Sequence, residues 1–96
     1  MRGVFQDASA TIGASQVTLL AADPQRTGVF ICNGSASNTL AVNLAGGTAA
    51  INGAGCITLA AGGSIFADIM VPTGAITGIG SNSSTIATVQ FMQGGT

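Results

Sequence analysis

The chain has 96 residues, the length of a single domain, and only 5% of them are charged, whereas about a quarter are charged in an average soluble domain. It has two arginines and three aspartates but no lysine, glutamate, histidine, tryptophan or tyrosine. Small and β-branched residues dominate instead, which excludes a disordered chain. A net charge of −1 gives little self-repulsion, so the composition favours a protein that lives within an assembly. The alternative is a monomer kept soluble by serine, threonine and asparagine.

The composition also argues against several binding partners. Nucleic-acid binding requires clustered lysine and arginine to neutralise phosphates. The chain has no lysine, and its two arginines form no cluster in the sequence. No window offers the roughly 20 apolar residues of a membrane span. Gln6 and Asp7 interrupt the N-terminal stretch before any apolar region of a secretory signal, so no such signal is predicted.

Cys32 and Cys56 both fall in predicted strands, which favours two reduced core thiols over a single disulfide.

The chain divides into a short N-terminal segment and a β domain. Residues 1–15 lack a regular pattern and are predicted to form an extended arm anchored by Val4 and Phe5, with a disordered terminus as the alternative. The β-sandwich domain is predicted to span residues 16–96. Alternating apolar and polar residues, separated by Gly, Pro, Asn and Ser clusters, predict about seven short strands in it. These strands are expected at 16–20, 26–33, 39–44, 56–60, 64–71, 75–80 and 85–92.

The segment 26–44 is predicted to be a central β-hairpin on which the other strands are laid. Its first strand is apolar on both faces, which is typical of a buried strand. The turn after it, 33–38, contains residues that tolerate left-handed backbone or bond their own backbone. In the strand that follows, Leu40 and Val42 are expected to point inward, and Ala41 and Asn43 outward.

The spacing of strands and turns determines the fold class. Several short strands with turns every 8 to 12 residues or so, and almost no helical signal, predict an all-β fold. We expect a single compact antiparallel β-sandwich or a jelly-roll-like barrel. The inward apolar positions form the predicted core: Val29, Ile31, Leu40, Val42, Ile57, Leu59, Ile65, Ile86 and Val89.

The side-chain inventory offers little chemistry. Acid–base catalysis and activated serine or cysteine nucleophiles need a neighbouring base, and the chain has no histidine, lysine or glutamate. Two thiols cannot complete a four-ligand zinc site. The pair Gly62-Gly63 is followed by no lysine or helix and is therefore interpreted as a turn. We predict no catalytic residue, metal, cofactor or small-molecule substrate. Asp68 is expected either to face solvent or to pair with Arg26.

A series of short motifs follows the predicted strands in order: Arg26-x-x-Val29-x-Ile31-x-Asn33, Leu40-x-Val42, Ile57-x-Leu59-x-x-Gly62-Gly63-Ser64-Ile65 and Val71-Pro72-Thr73-x-x-Ile76-x-x-Ile79, and then a final strand. In this series the chain resembles small β-sandwich virion proteins of tailed phages, of the capsid cement or decoration type. The resemblance covers about residues 16–92. The near-absence of charge departs from many decoration proteins.

The resemblance implies a non-enzymatic structural protein that is made in the host cytoplasm, binds the outer surface of a phage capsid and stabilises the lattice. The implied partners are the major capsid protein and further copies of the chain, in a homo-oligomer for which a trimer is one candidate. A subunit of a phage tail, baseplate or fibre, with a structural or receptor-binding role, is the alternative. The predicted interface residues are Arg2, Val4, Phe5, Arg26, Asn33 and Asn38.

Overall fold

The computed structural model describes residues 5–67 and 71–93, which form nine strands and contain no helix. Every pairing between these strands is antiparallel. The strands are β1 (Phe5–Asp7), β2 (Ala10–Ile12), β3 (Val17–Leu20), β4 (Arg26–Asn33), β5 (Leu40–Asn43), β6 (Ile57–Leu59), β7 (Ser64–Ala67), β8 (Ile76–Gly80) and β9 (Thr85–Gln93).

The strands form two sheets. Sheet A has the order β1-β9-β4-β7, with β2 also paired to β9, and sheet B has the order β3-β8-β5-β6. The predicted all-β fold with two antiparallel layers is therefore confirmed, with nine strands in place of about seven. Asp68 and the end of the strand predicted at 64–71 lie outside the described residues.

The apolar core lies between the two sheets and draws on both. Val29 and Ile31 of β4 and Val89 of β9 enter it from sheet A, while Leu40 and Val42 of β5 enter from sheet B. None of these five side chains is more than 1% exposed. Leu59 is also buried, and Ile65 is partly buried against the same cluster.

Two residues predicted for the core lie at the surface. Ile86 is 43% exposed because its neighbours in β9, Thr85 and Ala87, take the inward positions and leave it on the outer face of sheet A. Ile57 is 37% exposed at the start of β6, the last strand of sheet B, where no further strand covers it. The prediction that both side chains belong to the core is wrong.

The N-terminal segment is more regular than its sequence indicates. The segment 1–15, predicted to be an extended arm, contains β1 and β2, which both pair with β9 as part of sheet A. Ser9 bridges the break between them: its hydroxyl accepts a hydrogen bond from Val89 N (3.1 Å) and donates one to Asp7 Oδ1 (2.6 Å). Ile12 then enters the core at 5% exposure. Three-residue strands carry too little alternation to be identified from sequence.

The segment 26–44 is not a hairpin. β4 belongs to sheet A and β5 to sheet B, so the turn between them carries the chain from one sheet to the other. The turn at Gly62-Gly63 does the same between β6 and β7. Gly62 has a φ of +81°, which favours glycine, and its N–H donates to Asn33 O at 2.9 Å. Both turn predictions place the bend correctly, but a turn signal does not reveal which strands pair.

The loop 44–56 is tied to the outer face of sheet B. Ala41 and Asn43 lie on the outer side of β5, as their alternation with the core residues Leu40 and Val42 predicts, but they are covered: Ala41 is fully buried and Asn43 is 7% exposed. Three hydrogen bonds join the loop to outward-facing polar side chains of β5, β6 and β8. They run from Asn43 Nδ2 to Thr48 O (3.2 Å), from Asn52 N to Thr58 Oγ1 (2.9 Å) and from Thr77 Oγ1 to Gly47 O (2.7 Å).

Candidate interaction surface

The outer face of sheet A exposes large apolar side chains. We define the A face by its outward residues Phe30, Phe66, Ile86, Gln90 and Met92 on β4, β7 and β9. Phe66 is 53% exposed, the highest value among the exposed large hydrophobic residues of the described chain. It stands directly opposite Phe30, with the ring centroids 6.5 Å apart and the ring planes tilted by 55°. Such tilted aromatic pairs are mutually attractive and hold both rings in place.

Charge is scarce on the A face. The described parts of β4, β7 and β9 carry no charged side chain that points outward. Among the described residues, the charged Asp7 stands opposite Gln90 on β1. β1 lies at one edge of sheet A, and β7 with Phe66 lies at the other. The A face is therefore apolar toward β7 and polar toward β1, as expected of a contact surface rather than a fully solvated one.

Arg26, a predicted interface residue, is buried at 3% exposure. β4 has a register shift between Arg26 and Gly28, where two residues of β4 face one residue of β9. The resulting bulge places Thr27 and Gly28 on the same side and turns Arg26 inward, out of simple alternation. The prediction that Arg26 contacts a neighbouring subunit is wrong, because the bulge reverses the direction of its side chain.

The Arg26 guanidinium binds backbone carbonyls of two loops. Nη1 donates to Pro72 O (2.6 Å) and Gly74 O (3.1 Å), and Nη2 donates to Ala21 O (2.7 Å). Nε is buried and has no partner among the described residues. Burial lowers the pKa of Arg26 and the charge of nearby Asp23 opposes this shift, but an arginine stays charged at neutral pH. Arg26 thus holds together the loops before β4 and before β8.

Asn33, the second predicted interface residue in β4, is also buried, with no exposed area. Its Nδ2 donates to Asn38 O (2.7 Å) and Leu59 O (3.0 Å), and its Oδ1 accepts from Ser35 N (3.0 Å). Leu59 belongs to β6, so one of these bonds joins sheet A to sheet B. With its amide fully engaged inside the protein, Asn33 cannot contact a partner, and that prediction is wrong as well.

The remaining predicted interface residues are placed as follows. Asn38 is half-buried, and its Oδ1 accepts a hydrogen bond from Asn82 Nδ2 at 2.8 Å, so its amide points toward the surface. Arg2 and Val4 lie outside the described residues. Phe5 begins β1 opposite Met92, and its side chain is also outside the described part. The structure therefore brings Arg26, Asn33 and Asn38 into no common surface.

Asp23 forms a second polar cluster beside Arg26. Its Oδ2 accepts from Gln93 Nε2 (2.6 Å) and its Oδ1 from Gln25 N (3.0 Å), while Gln6 Nε2 donates to Gln93 Oε1 (2.7 Å). These contacts connect β1 and β9 to the loop before β4. The hydrogen bond from Gln93 is the main cause of a lowered Asp23 pKa, followed by the Gln25 N–H, whereas burial acts in the opposite direction.

The described residues contain neither a pocket nor a cluster that could hold a metal ion. Residues 5–67 and 71–93 enclose no pocket and bring no three His, Cys, Asp or Glu side chains together for a metal ion. Within this range Cys32 and Cys56 are half-buried and unpaired. No helix in this part of the chain is long and apolar enough to cross a membrane.

The A face is the surface that the sequence reasoning did not identify. Phe66 alternates with the inward Ile65, and Phe30 alternates with the inward Val29 and Ile31. The sequence pattern therefore indicates that both rings point away from the core. The apolar character on both faces of the strand 26–33 instead predicts burial on both sides. The strand order places no further described strand over the outer side of sheet A, where Phe66 and Ile86 are exposed.

Comparisons with known proteins return no match: no protein-family model, no curated protein and no solved structure resembles the chain significantly.

We expect Arg26→Lys to lower the free energy of unfolding. A lysine ammonium cannot bind three carbonyls in the planar arrangement of a guanidinium, and the carbonyls left unpaired cost about 1–3 kcal/mol. Urea unfolding followed by circular dichroism measures the change. The exposed Gln25→Ala is the control, expected to change the free energy by less than about 0.5 kcal/mol. An equally small effect for Arg26→Lys would show that these carbonyl contacts do not stabilise the fold.

We expect Asp23 to contribute to stability at neutral pH and to lose that contribution in acid. Its pKa in the folded protein lies below the ordinary value of 3.8, so the charged form stabilises the fold above pH 3.8. The contribution disappears as the pH falls through the lowered pKa. Thermal unfolding across this range should therefore show a weaker pH dependence for Asp23→Asn than for the wild type. Identical pH profiles for wild type and Asp23→Asn would contradict this assignment.

Proposed function

We propose that this protein is a non-enzymatic structural component of a tailed-phage virion that binds the outer surface of the capsid and stabilises its lattice. The observation that carries the proposal is the strand order. If β1 and β2 are counted as one interrupted strand, the first strand pairs with the last, β3 with β8, β4 with β7 and β5 with β6. This nested pairing over two sheets supports a jelly roll, a fold that recurs in viral capsid proteins.

The same fold also occurs in cupins and lectin domains, so the residues must decide between these classes. A metal-dependent cupin site requires ligands such as histidine, and the chain has none. A sugar-binding site usually offers an aromatic face, and the chain has neither tryptophan nor tyrosine. The residues thus favour a role based on protein contacts.

The A face is the surface we assign to the capsid contact. Loop 44–56 is bonded to the outer face of sheet B, whereas the described residues form no further sheet over the outer face of sheet A. Ile86 and Phe66 are both exposed there by more than 40%. An uncharged apolar face can be buried against a capsid subunit without the desolvation cost of charged groups. The major capsid protein and further copies of this chain are the proposed partners.

The test uses capsids of the encoding phage that have been prepared without this protein. We expect saturable co-sedimentation of the purified protein with these capsids and a higher temperature of capsid disruption. Ile86→Lys, which places a charge on the A face, should weaken binding at least tenfold. The exposed Thr18→Lys in β3 adds the same charge on sheet B and should bind as the wild type does.

Two results would contradict the proposal. Failure to bind capsids, combined with incorporation into tails or fibres, would assign the protein to that part of the virion. Equal capsid binding by the wild type and Ile86→Lys would remove the A face as the contact surface.

A further inference from the structure

We propose that β7 pairs in antiparallel fashion with β7 of a second copy, so that sheet A continues across a two-fold axis. The proposal specifies the homo-oligomer that is included in the proposed function. It concerns the isolated chain, however, and needs no capsid. It rests on the hydrogen-bonding direction of β7, on the absence of features that block edge pairing and on the position of Phe66.

The backbone of β7 has free hydrogen-bonding groups at the edge of sheet A. Asn33 N donates to Gly63 O at 2.8 Å, and hydrogen-bonded pairs alternate along an antiparallel ladder, so Ile65 also bonds toward β4. The N–H and C=O groups of Ser64 and Phe66 therefore point away from β4. No described residue lies on that side of β7 in the sheet. These four groups are available to another strand.

β7 also lacks the features that usually protect an edge strand, namely charged side chains, proline and bulges. Its sequence is Ser-Ile-Phe-Ala, and it pairs with β4 without a register shift. The other edges differ. β1 ends in the charged Asp7, β3 pairs through an irregular register, and β2 and β6 have only three residues each. β7 is thus the edge best suited to pairing.

A two-fold axis at Ile65 gives a register that uses all the free backbone groups of β7. With the axis at Ile65, Ser64 of each copy faces Phe66 of the other, and the four free backbone groups of each strand bond across the axis. Phe66 stays on the A face and Ile65 stays on the core side, whereas a slip by one residue would exchange them. The two Phe66 rings become diagonal neighbours, close enough for contact. Each ring then packs between Phe30 and the second copy.

A second copy also matches this edge in charge. The described residues of β7, Ser64–Ala67, carry no charge, and Asp7, a described charged residue of sheet A, lies three strands away at the opposite edge. The described strands of two copies can therefore meet without repulsion between charged side chains of Ser64–Ala67. Identical antiparallel strands that meet about a two-fold axis form a closed dimer, which leaves no edge of β7 for further growth. The joined A faces form one continuous surface.

Sedimentation velocity of the purified full chain tests the proposal. We expect a species of twice the chain mass for the wild type. Phe66→Lys should weaken the dimer at least tenfold and therefore sediment mainly as a monomer, because the two introduced lysine charges would lie side by side at the two-fold axis. Ile57→Lys is the matched control. Like Phe66, Ile57 is an exposed apolar residue in an edge strand, but it lies in sheet B, so this variant should remain dimeric. Ser64→Pro removes one edge N–H without changing Phe66 and should also weaken the dimer.

Amide hydrogen exchange gives a readout that a change in folding alone would not produce. In the wild type, the Ser64 and Phe66 amides should be protected, and their protection should increase with protein concentration. In Phe66→Lys they should exchange rapidly, while the Ile65 amide, which bonds to β4, stays protected in both proteins. A wild-type monomer, a trimer, or unprotected Ser64 and Phe66 amides would overturn the proposal. Capsid binding is measured separately, so either proposal can fail without the other.

Discussion

The structure depends on β4, whose two buried polar ends bind backbone carbonyls elsewhere in the sandwich. Arg26 at one end binds the loops before β4 and before β8, and Asn33 at the other end binds β6 of the opposite sheet. Between them, Val29 and Ile31 enter the apolar core. In a chain with five charged residues, these side-chain contacts to carbonyls take the place that ion-pair networks occupy in other domains. A buried carbonyl left unpaired is costly, so both ends constrain the connections that cross between the sheets.

The way the chain covers its sheets leads to the proposed function. Polar side chains of sheet B bind the loop 44–56, so that this face is occupied by the protein itself. On sheet A, Phe66 and Ile86 are exposed on the outer face, and no described strand pairs with the outer side of β7. An apolar face and an unprotected edge are costly for a free monomer but useful in a lattice of repeated subunits. The composition alone already favours an assembly, and the fold locates the surfaces that would serve it.

The sequence predicts the strands well where they are long and regularly alternating, and predicts their partners poorly. The limits of β4 and the all-β class follow from local alternation and turn residues. The pairing of β4 with β9, more than 50 residues away, has no local signal, and so the hairpin at 26–44 and the core assignment of Ile86 were wrong. The direction of Arg26 could not be predicted either, because one extra residue in a bulge reverses the alternation on which such predictions rest.

Urea unfolding of Asn33→Ala, beside Asn38→Ala, tests most directly whether the buried ends of β4 hold the two sheets together. Removal of the Asn33 amide leaves Leu59 O, Asn38 O and Ser35 N without this partner, and we expect the free energy of unfolding to fall by about 2 kcal/mol or more. Asn38, whose side chain binds only the exposed Asn82, should lose less than about 0.5 kcal/mol. Equal small losses for the two variants would contradict the account.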